Sequence, residues 1–198
     1  MPVLFWIFAF AETRIAGSCL KSIMFSDPAH IIAQFDLQSG SRVVDLGAGS
    51  GELSIAAARE VGEAGRVYAI EVQQCLVERL KKAAKEARAQ NIEPLWGDIE
   101  RLQGTHLKDD TADACIASNV LFQVEDKPGF VAEVRRLLKP GGRALVVDWT
   151  DSDNHMGPAP GQLVTEKAAR ALFEQGGFQF VKKIDAGSHH YGLIFKKS

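Results

Sequence analysis

A chain of 198 residues, 46% hydrophobic and 24% charged, is long enough to bury the core of one ordinary domain, and its composition excludes a disordered chain. The formal net charge of -2 excludes a general electrostatic pull toward nucleic acid or anionic membrane. Three cysteines, Cys19, Cys75 and Cys115, lack C-x-x-C spacing, which argues against a zinc motif and points to a reduced, cytoplasmic chain.

The chain opens on an uninterrupted apolar run, Val3 to Ala11, that includes the aromatics Phe5, Trp6, Phe8 and Phe10. The run is too short to span a bilayer, so no transmembrane segment is expected. No basic residues precede it as a signal peptide requires, although Ala9-Phe10-Ala11 resembles a cleavage site and Ala16-Gly17-Ser18-Cys19 a lipoprotein box. Residues 1–24 are therefore expected to form an apolar helical segment that serves as a lid, a subunit interface or a weak membrane-surface anchor. Residues 25–198 are expected to form one domain.

Within that domain Asp27-Pro28 supplies an N-cap and a proline at the first helical position, and Ile31, Ile32 and Phe35 give the helix one apolar face to about Leu37. Ser39-Gly40 breaks it. A strand over Arg42 to Leu46 is followed by a helix over Glu52 to Val61, closed by Gly62 and Gly65. Arg66 to Glu71 is a second strand, and Gln74 to Ala89 carries Leu76, Val77, Leu80 and Ala84 at helical spacing. Ile92 to Trp96 is a third strand and Ala112 to Ser118 a fourth. A helix over Phe130 to Leu138 is stopped by Lys139-Pro140-Gly141-Gly142, and Arg143 to Trp149 is the fifth strand. Beyond a polar loop, a helix from about Thr165 to Gln175 ends at Gly176-Gly177, and Phe178 to Ile184 pairs with Tyr191 to Lys197 as an antiparallel hairpin. The alternation predicts an α/β domain: a Rossmann-like doubly wound sheet of seven strands, mostly parallel with an antiparallel C-terminal strand, and helices on both faces.

The most informative stretch is Val43-Val44-Asp45-Leu46-Gly47-Ala48-Gly49-Ser50-Gly51, a buried strand with an acidic tip and a glycine-rich turn. Glycines let a backbone turn tightly and approach a ligand where a Cβ would intrude. Here they fall as G-x-G-x-G, not as the G-x-G-x-x-G of a dinucleotide fingerprint, which argues against a nicotinamide-dependent oxidoreductase. Glu71 ends the second strand at the edge where open α/β sheets bind ligands, and its paired acceptor oxygens suit a vicinal diol.

With the glycine run, Leu138 to Arg143 (LKPGGR), His189 to Gly192 and the terminal hairpin, residues 25–198 resemble the class I S-adenosylmethionine (SAM) dependent methyltransferases, in particular their UbiE-like small-molecule group. The resemblance implies SAM as cofactor and a small, partly apolar methyl acceptor that the sequence does not identify. An RNA or protein methyltransferase and a non-catalytic SAM-binding interaction protein stand as alternatives. The resemblance further implies that Gly47, Ala48, Gly49 and Gly51 lie against the methionine part of SAM, and that Asp45 helps hold its amino group. Glu71 would accept the ribose hydroxyls, Val72 would pack on the adenine, Asp98 with Ile99 would meet the adenine amino group, and Asn119 would contact the methionine end. Ser118-Asn119-Val120-Leu121-Phe122 departs from the N-P-P-Y pattern of amino-directed nucleic-acid methyltransferases, so no nucleic-acid partner is expected. No metal is implied. The arsenite-methylating relatives of the superfamily bind arsenic through cysteines, which leaves a trio of Cys19, Cys75 and Cys115 as a further alternative.

Methyl transfer from a sulfonium is an in-line displacement, so positioning carries much of the catalysis and a general base is optional. Where the acceptor must lose a proton, Asp148, His155, His189, His190 and Tyr191 are the candidates by location. Monomer and homodimer both remain open.

Overall fold

The computed structural model describes residues 27–150 and 157–198. The apolar segment 1–24, Cys19 and His155 lie outside the described residues, so the expectations placed on them are not addressed by the fold. The order is α1 (Pro28–Phe35), β1 (Arg42–Leu46), α2 (Glu52–Val61), β2 (Arg66–Glu71), α3 (Gln74–Glu86), β3 (Ile92–Trp96), β4 (Ala112–Ser118), α4 (Lys127–Leu137), β5 (Leu138–Trp149), α5 (Glu166–Gln175), β6 (Phe178–Asp185) and β7 (His190–Lys197).

Local chemistry sets the boundaries. Asp27 Oδ1 accepts from the Ala29 amide at 2.9 Å and starts α1, which stops short of Leu37 because Asp36 turns left-handed at φ 58°. Similarly, α3 ends before Ala89, with Arg88 at φ 55°. Asp126 Oδ1 accepts from the Gly129 amide at 3.0 Å, so α4 begins at Lys127, ahead of the expected Phe130. Lys139 to Gly142 ends that helix as expected, but it is a bulge inside β5: Leu138 already pairs with Ala112, and the ladder resumes at Arg143 opposite Ala114.

The seven strands lie in the order β3-β2-β1-β4-β5-β7-β6. Strands β1 to β5 run parallel, and β7 is inserted antiparallel between β5 and β6. Two cores sandwich the sheet. On one face Ile31, Ile32 and Phe35 of α1, Ala57, Ala58 and Val61 of α2, and Leu80 and Ala84 of α3 cover Val43, Val67, Ile116 and Leu145. On the other, Phe130, Val131 and Val134 of α4 and Phe173 of α5 cover Val44, Ile70, Val146 and Phe195. Burying each of the valine, leucine, isoleucine and phenylalanine side chains among these contributes about 1.5–3 kcal/mol before entropy is counted. The winding reverses between β1 and β4, which opens a crevice at the carboxyl ends of those strands.

Among the described residues, no helix is long and apolar enough to cross a membrane.

Candidate active site

The glycine turn sits at that crevice. The Gly47 and Ala48 amides both donate to the Ile70 carbonyl at 3.0 Å, and the Gly51 amide donates to the Ala48 carbonyl at 2.8 Å. All three glycines are left-handed, with φ of 77°, 53° and 84° at Gly47, Gly49 and Gly51. A Cβ on Gly47 would lie 3.0 Å from Val120 Cγ2, and one on Gly51 would lie 2.1 Å from Leu80 Cδ1. At Gly49 a Cβ would meet only the Gly47 carbonyl, at 4.0 Å, so the turn is open above its middle glycine. Gly51→Ala is therefore expected to lose about 2 kcal/mol or more in a urea melt, through left-handed backbone cost and displacement of the buried Leu80. A variant as stable as the wild type would mean that the turn has slack.

Two buried carboxylates flank the turn. Asp45, 2% exposed, accepts from the Ser54 hydroxyl of α2 at 2.5 Å. Burial pushes its pKa up to about 6; the Ser54 bond opposes the rise and the Glu71 charge adds to it. Glu71, 6% exposed, accepts from the Gly49 amide at 3.2 Å and the Gln73 amide at 2.9 Å, one on each oxygen. The carboxylate thus ties β2 to the glycine turn.

The loop after β3 closes the same corner. Ile99 Cδ1 lies 3.7 Å from where a Gly47 Cβ would be. Asp98 is engaged locally, accepting from the Glu100 amide at 3.0 Å and pairing with Arg101 at 3.2 Å. Val72 is 53% exposed, and its carbonyl accepts from the Trp96 indole at 2.8 Å. The candidates from β1, β2, β3 and β4 therefore converge on one edge. Ser54 and Trp96, which touch two of them, carry no sequence motif that marks them.

At the far side of the crevice, Asn119 is left-handed at φ 56°, its amide donates to the Val147 carbonyl at 2.8 Å, and its side-chain Oδ1 is buried without a partner. Asp148 is 1% exposed and accepts from the Leu121 amide at 2.8 Å and the Trp149 amide at 2.8 Å, one on each oxygen. Burial pushes its pKa up to about 6 against the backbone amides of residues 120, 121, 122 and 149. Tyr191 stands opposite Asp148 in the β5–β7 register, with its hydroxyl buried and unpartnered. Burial and the charges of Asp148 and Glu166 raise its pKa, so the phenol stays protonated. The His190 ring lies 4.3 Å from that of Trp149, while the His189 carbonyl accepts from the Thr150 amide at 2.8 Å.

Two cavities lie elsewhere, at the amino ends of the strands. One of about 370 Å³ is lined in part by Asp109, Asp110, Arg136 and Lys197, whose charges already pair with one another. The other, about 460 Å³, lies between α3 and β3. Neither reaches the glycine turn. Cys115 is fully buried and burial raises its thiol pKa, whereas Cys75 is exposed. Among the described residues no group of three or more His, Cys, Asp or Glu side chains is placed to hold a metal ion.

Comparison with known proteins identifies a family and a shared fold. A family model described as "Methyltransferase domain" matches residues 37–188. The ubiquinone/menaquinone biosynthesis C-methyltransferase UbiE of Marinomonas sp. is 29% identical over 128 residues, covering 64% of this chain and 50% of that protein. A 2-phytyl-1,4-naphtoquinone methyltransferase of Trichormus variabilis is 33% identical over 116 residues, 58% of this chain and 49% of that protein. The chain thus spans about half the length of these curated relatives. A SAM-dependent methyltransferase from Aquifex aeolicus superposes with a TM-score of 0.80 at 25% identity, covering 88% of this chain and 91% of that one.

Proposed function

The chain belongs to the methyltransferase-domain family, and from that premise we propose that it transfers the methyl group of SAM to a small, partly apolar acceptor, releasing S-adenosylhomocysteine. The observation that carries the reading is the pairing of Asp45 and Glu71 across an open glycine turn.

The residues fit the cofactor. Each Glu71 oxygen accepts one amide and keeps acceptor capacity for a ribose hydroxyl. Exposed Val72 offers an apolar contact for the adenine, and Asp98 with Ile99 bounds its amino side. Asp45, with Gly47, Ala48, Gly49 and Gly51, receives the methionine end, where its carboxylate opposes an ammonium. The unpartnered Asn119 Oδ1 provides an acceptor at the same end. Bound SAM supplies an electrophilic methyl carbon.

On the acceptor side, Asp148 acts as a positioning group, since both its oxygens are held by backbone amides. Tyr191, kept protonated by its surroundings, serves as a hydrogen-bond donor rather than a base. Proton removal, where an acceptor needs it, falls to one of the histidines His155, His189 and His190. The names of the quinone-methylating relatives support an acceptor of small, partly apolar type.

Titration calorimetry with SAM tests the reading: the wild type is expected to bind one equivalent, and Asp45→Ala with Glu71→Ala to abolish binding. No binding by the wild type, or undiminished binding by the double variant, sinks it. Labelled SAM with a fractionated metabolite extract then identifies the acceptor, and label appearing only in RNA or protein would replace the small-molecule reading.

A further inference from the structure

Trp96 ends the edge strand β3 and pairs in register with Glu71. It is 50% exposed, so burial explains little of its presence. Its indole N–H donates to the Val72 carbonyl at 2.8 Å, and the next residue, Gly97, donates its amide to the Glu71 carbonyl at 3.1 Å. Together with the Gly49 and Gln73 amides on the Glu71 carboxylate, these bonds fix residues 71 and 72 from two sides. The helix that follows bonds to residue 71 through the Gln73 amide and leaves the Val72 carbonyl to the indole. His106 stacks on the indole with ring centroids 6.2 Å apart and planes 25° apart. Val72 and Trp96 are two of the large hydrophobic side chains left exposed, and the indole–carbonyl bond sets them side by side. Adjoining exposed apolar groups held on a rigid frame are what a flat ligand ring requires.

We infer that Trp96 is a positioning residue for a purine ring, holding the Glu71-Val72 turn in place through its bond to the Val72 carbonyl; the inference rests on the SAM-dependent reading above. The indole thereby sets where the adenine and ribose contacts stand, without itself taking part in methyl transfer.

Trp96→Phe keeps an aromatic ring and removes the donor. Calorimetry with SAM and with free adenosine is expected to show both weakened about fivefold, because the loosened turn must be re-ordered on binding at a cost comparable to the lost internal bond, with the thermal midpoint lowered by no more than about 2–4 °C. Affinities within about twofold of wild type for both ligands overturn the inference while leaving the SAM reading intact. A wild type that binds neither ligand overturns both. A second measurement stands apart from the folding of Trp96→Phe: with Trp6 and Trp149 changed to Phe, Trp96 is the one tryptophan remaining. Its emission is expected to shift when adenosine is added, and an emission that adenosine binding leaves unmoved overturns the assignment.

Discussion

At pH 8, Asp45→Asn is expected to unfold at a higher temperature than the wild type and to bind SAM about a hundredfold more weakly. Both effects come from one carboxylate. Asp45 is 2% exposed, and burial lifts its pKa from 3.8 in a free chain to about 6 in the folded protein, with the Glu71 charge adding to the rise. Between those values the folded state holds a proton that the unfolded chain has released. Stability therefore falls as the pH rises from about 4 to about 6, and above that the cost is complete at roughly 3 kcal/mol. An asparagine removes the buried charge and keeps a carbonyl oxygen for the Ser54 hydroxyl. The gain should be roughly 1–3 kcal/mol at pH 8 and should vanish near pH 4, where the wild-type group is already neutral. Binding moves the other way, since an ammonium in the crevice loses its counter-charge. For the same reason wild-type affinity for SAM should climb as the pH passes through about 6. Thermal melts of both proteins at pH 4, 6 and 8, paired with calorimetry, check this. If Asp45→Asn is equally destabilising at all three values, the buried carboxylate is not a cost that the site imposes on the fold.

What the sequence reveals and what it conceals divides along the distance between contacting residues. Asp45, Gly47, Gly49, Gly51 and Glu71 are legible because strand ends and glycine spacing are local, and an α/β alternation brings every such end to one edge. The β6–β7 hairpin is legible for the same reason, since the Asp185 to Ser188 turn joins its strands directly, whereas the placement of β7 beside β5 follows only from the family resemblance. Ser54 is not, because its bond to Asp45 depends on how α2 packs over β1. Asp148 is visible as an acidic residue at a strand end, but its task is set by the Leu121 amide from another loop. Likewise the start of α4 hides behind Pro128-Gly129, a pair that reads as a turn until the Asp126 cap is seen to hold Gly129. The bulge at Lys139 to Gly142 is concealed because proline and glycine announce a helix end, while only the β4 register reveals that pairing has already begun.

The largest purely structural effect is expected at Glu133, far from any motif. Its carboxylate is 0% exposed, yet it accepts from Thr105 Oγ1 at 2.6 Å, Arg136 Nη2 at 2.7 Å, Arg136 Nε at 2.8 Å and the Gln103 amide at 2.9 Å. Burial alone would raise its pKa; the bonds from Arg136, Thr105 and Gln103 overcome that and hold it below the usual carboxylate range. Its contribution is therefore present above the ordinary glutamate range and is lost as the pH falls through the lower folded value. Glu133→Ala leaves Arg136, whose side chain is 9% exposed, with one remaining carboxylate partner, Asp109. The expected loss is about 2–4 kcal/mol in urea unfolding, because four hydrogen bonds to one buried carboxylate are lost at once and Arg136 is left half-compensated by Asp109. Replacing both partners, Glu133→Leu with Arg136→Met, should restore more than half of that loss, since neither charge then remains buried. The Gln103 and Thr105 bonds would still be missing, so the loop carrying Asp98 and Ile99 should stay loosened, and the double variant should bind SAM more weakly than its recovered stability suggests. A double variant as unstable as the sum of its single changes would show that Glu133 and Arg136 act independently, and would detach the loop carrying Asp98 and Ile99 from the α4 ion pair.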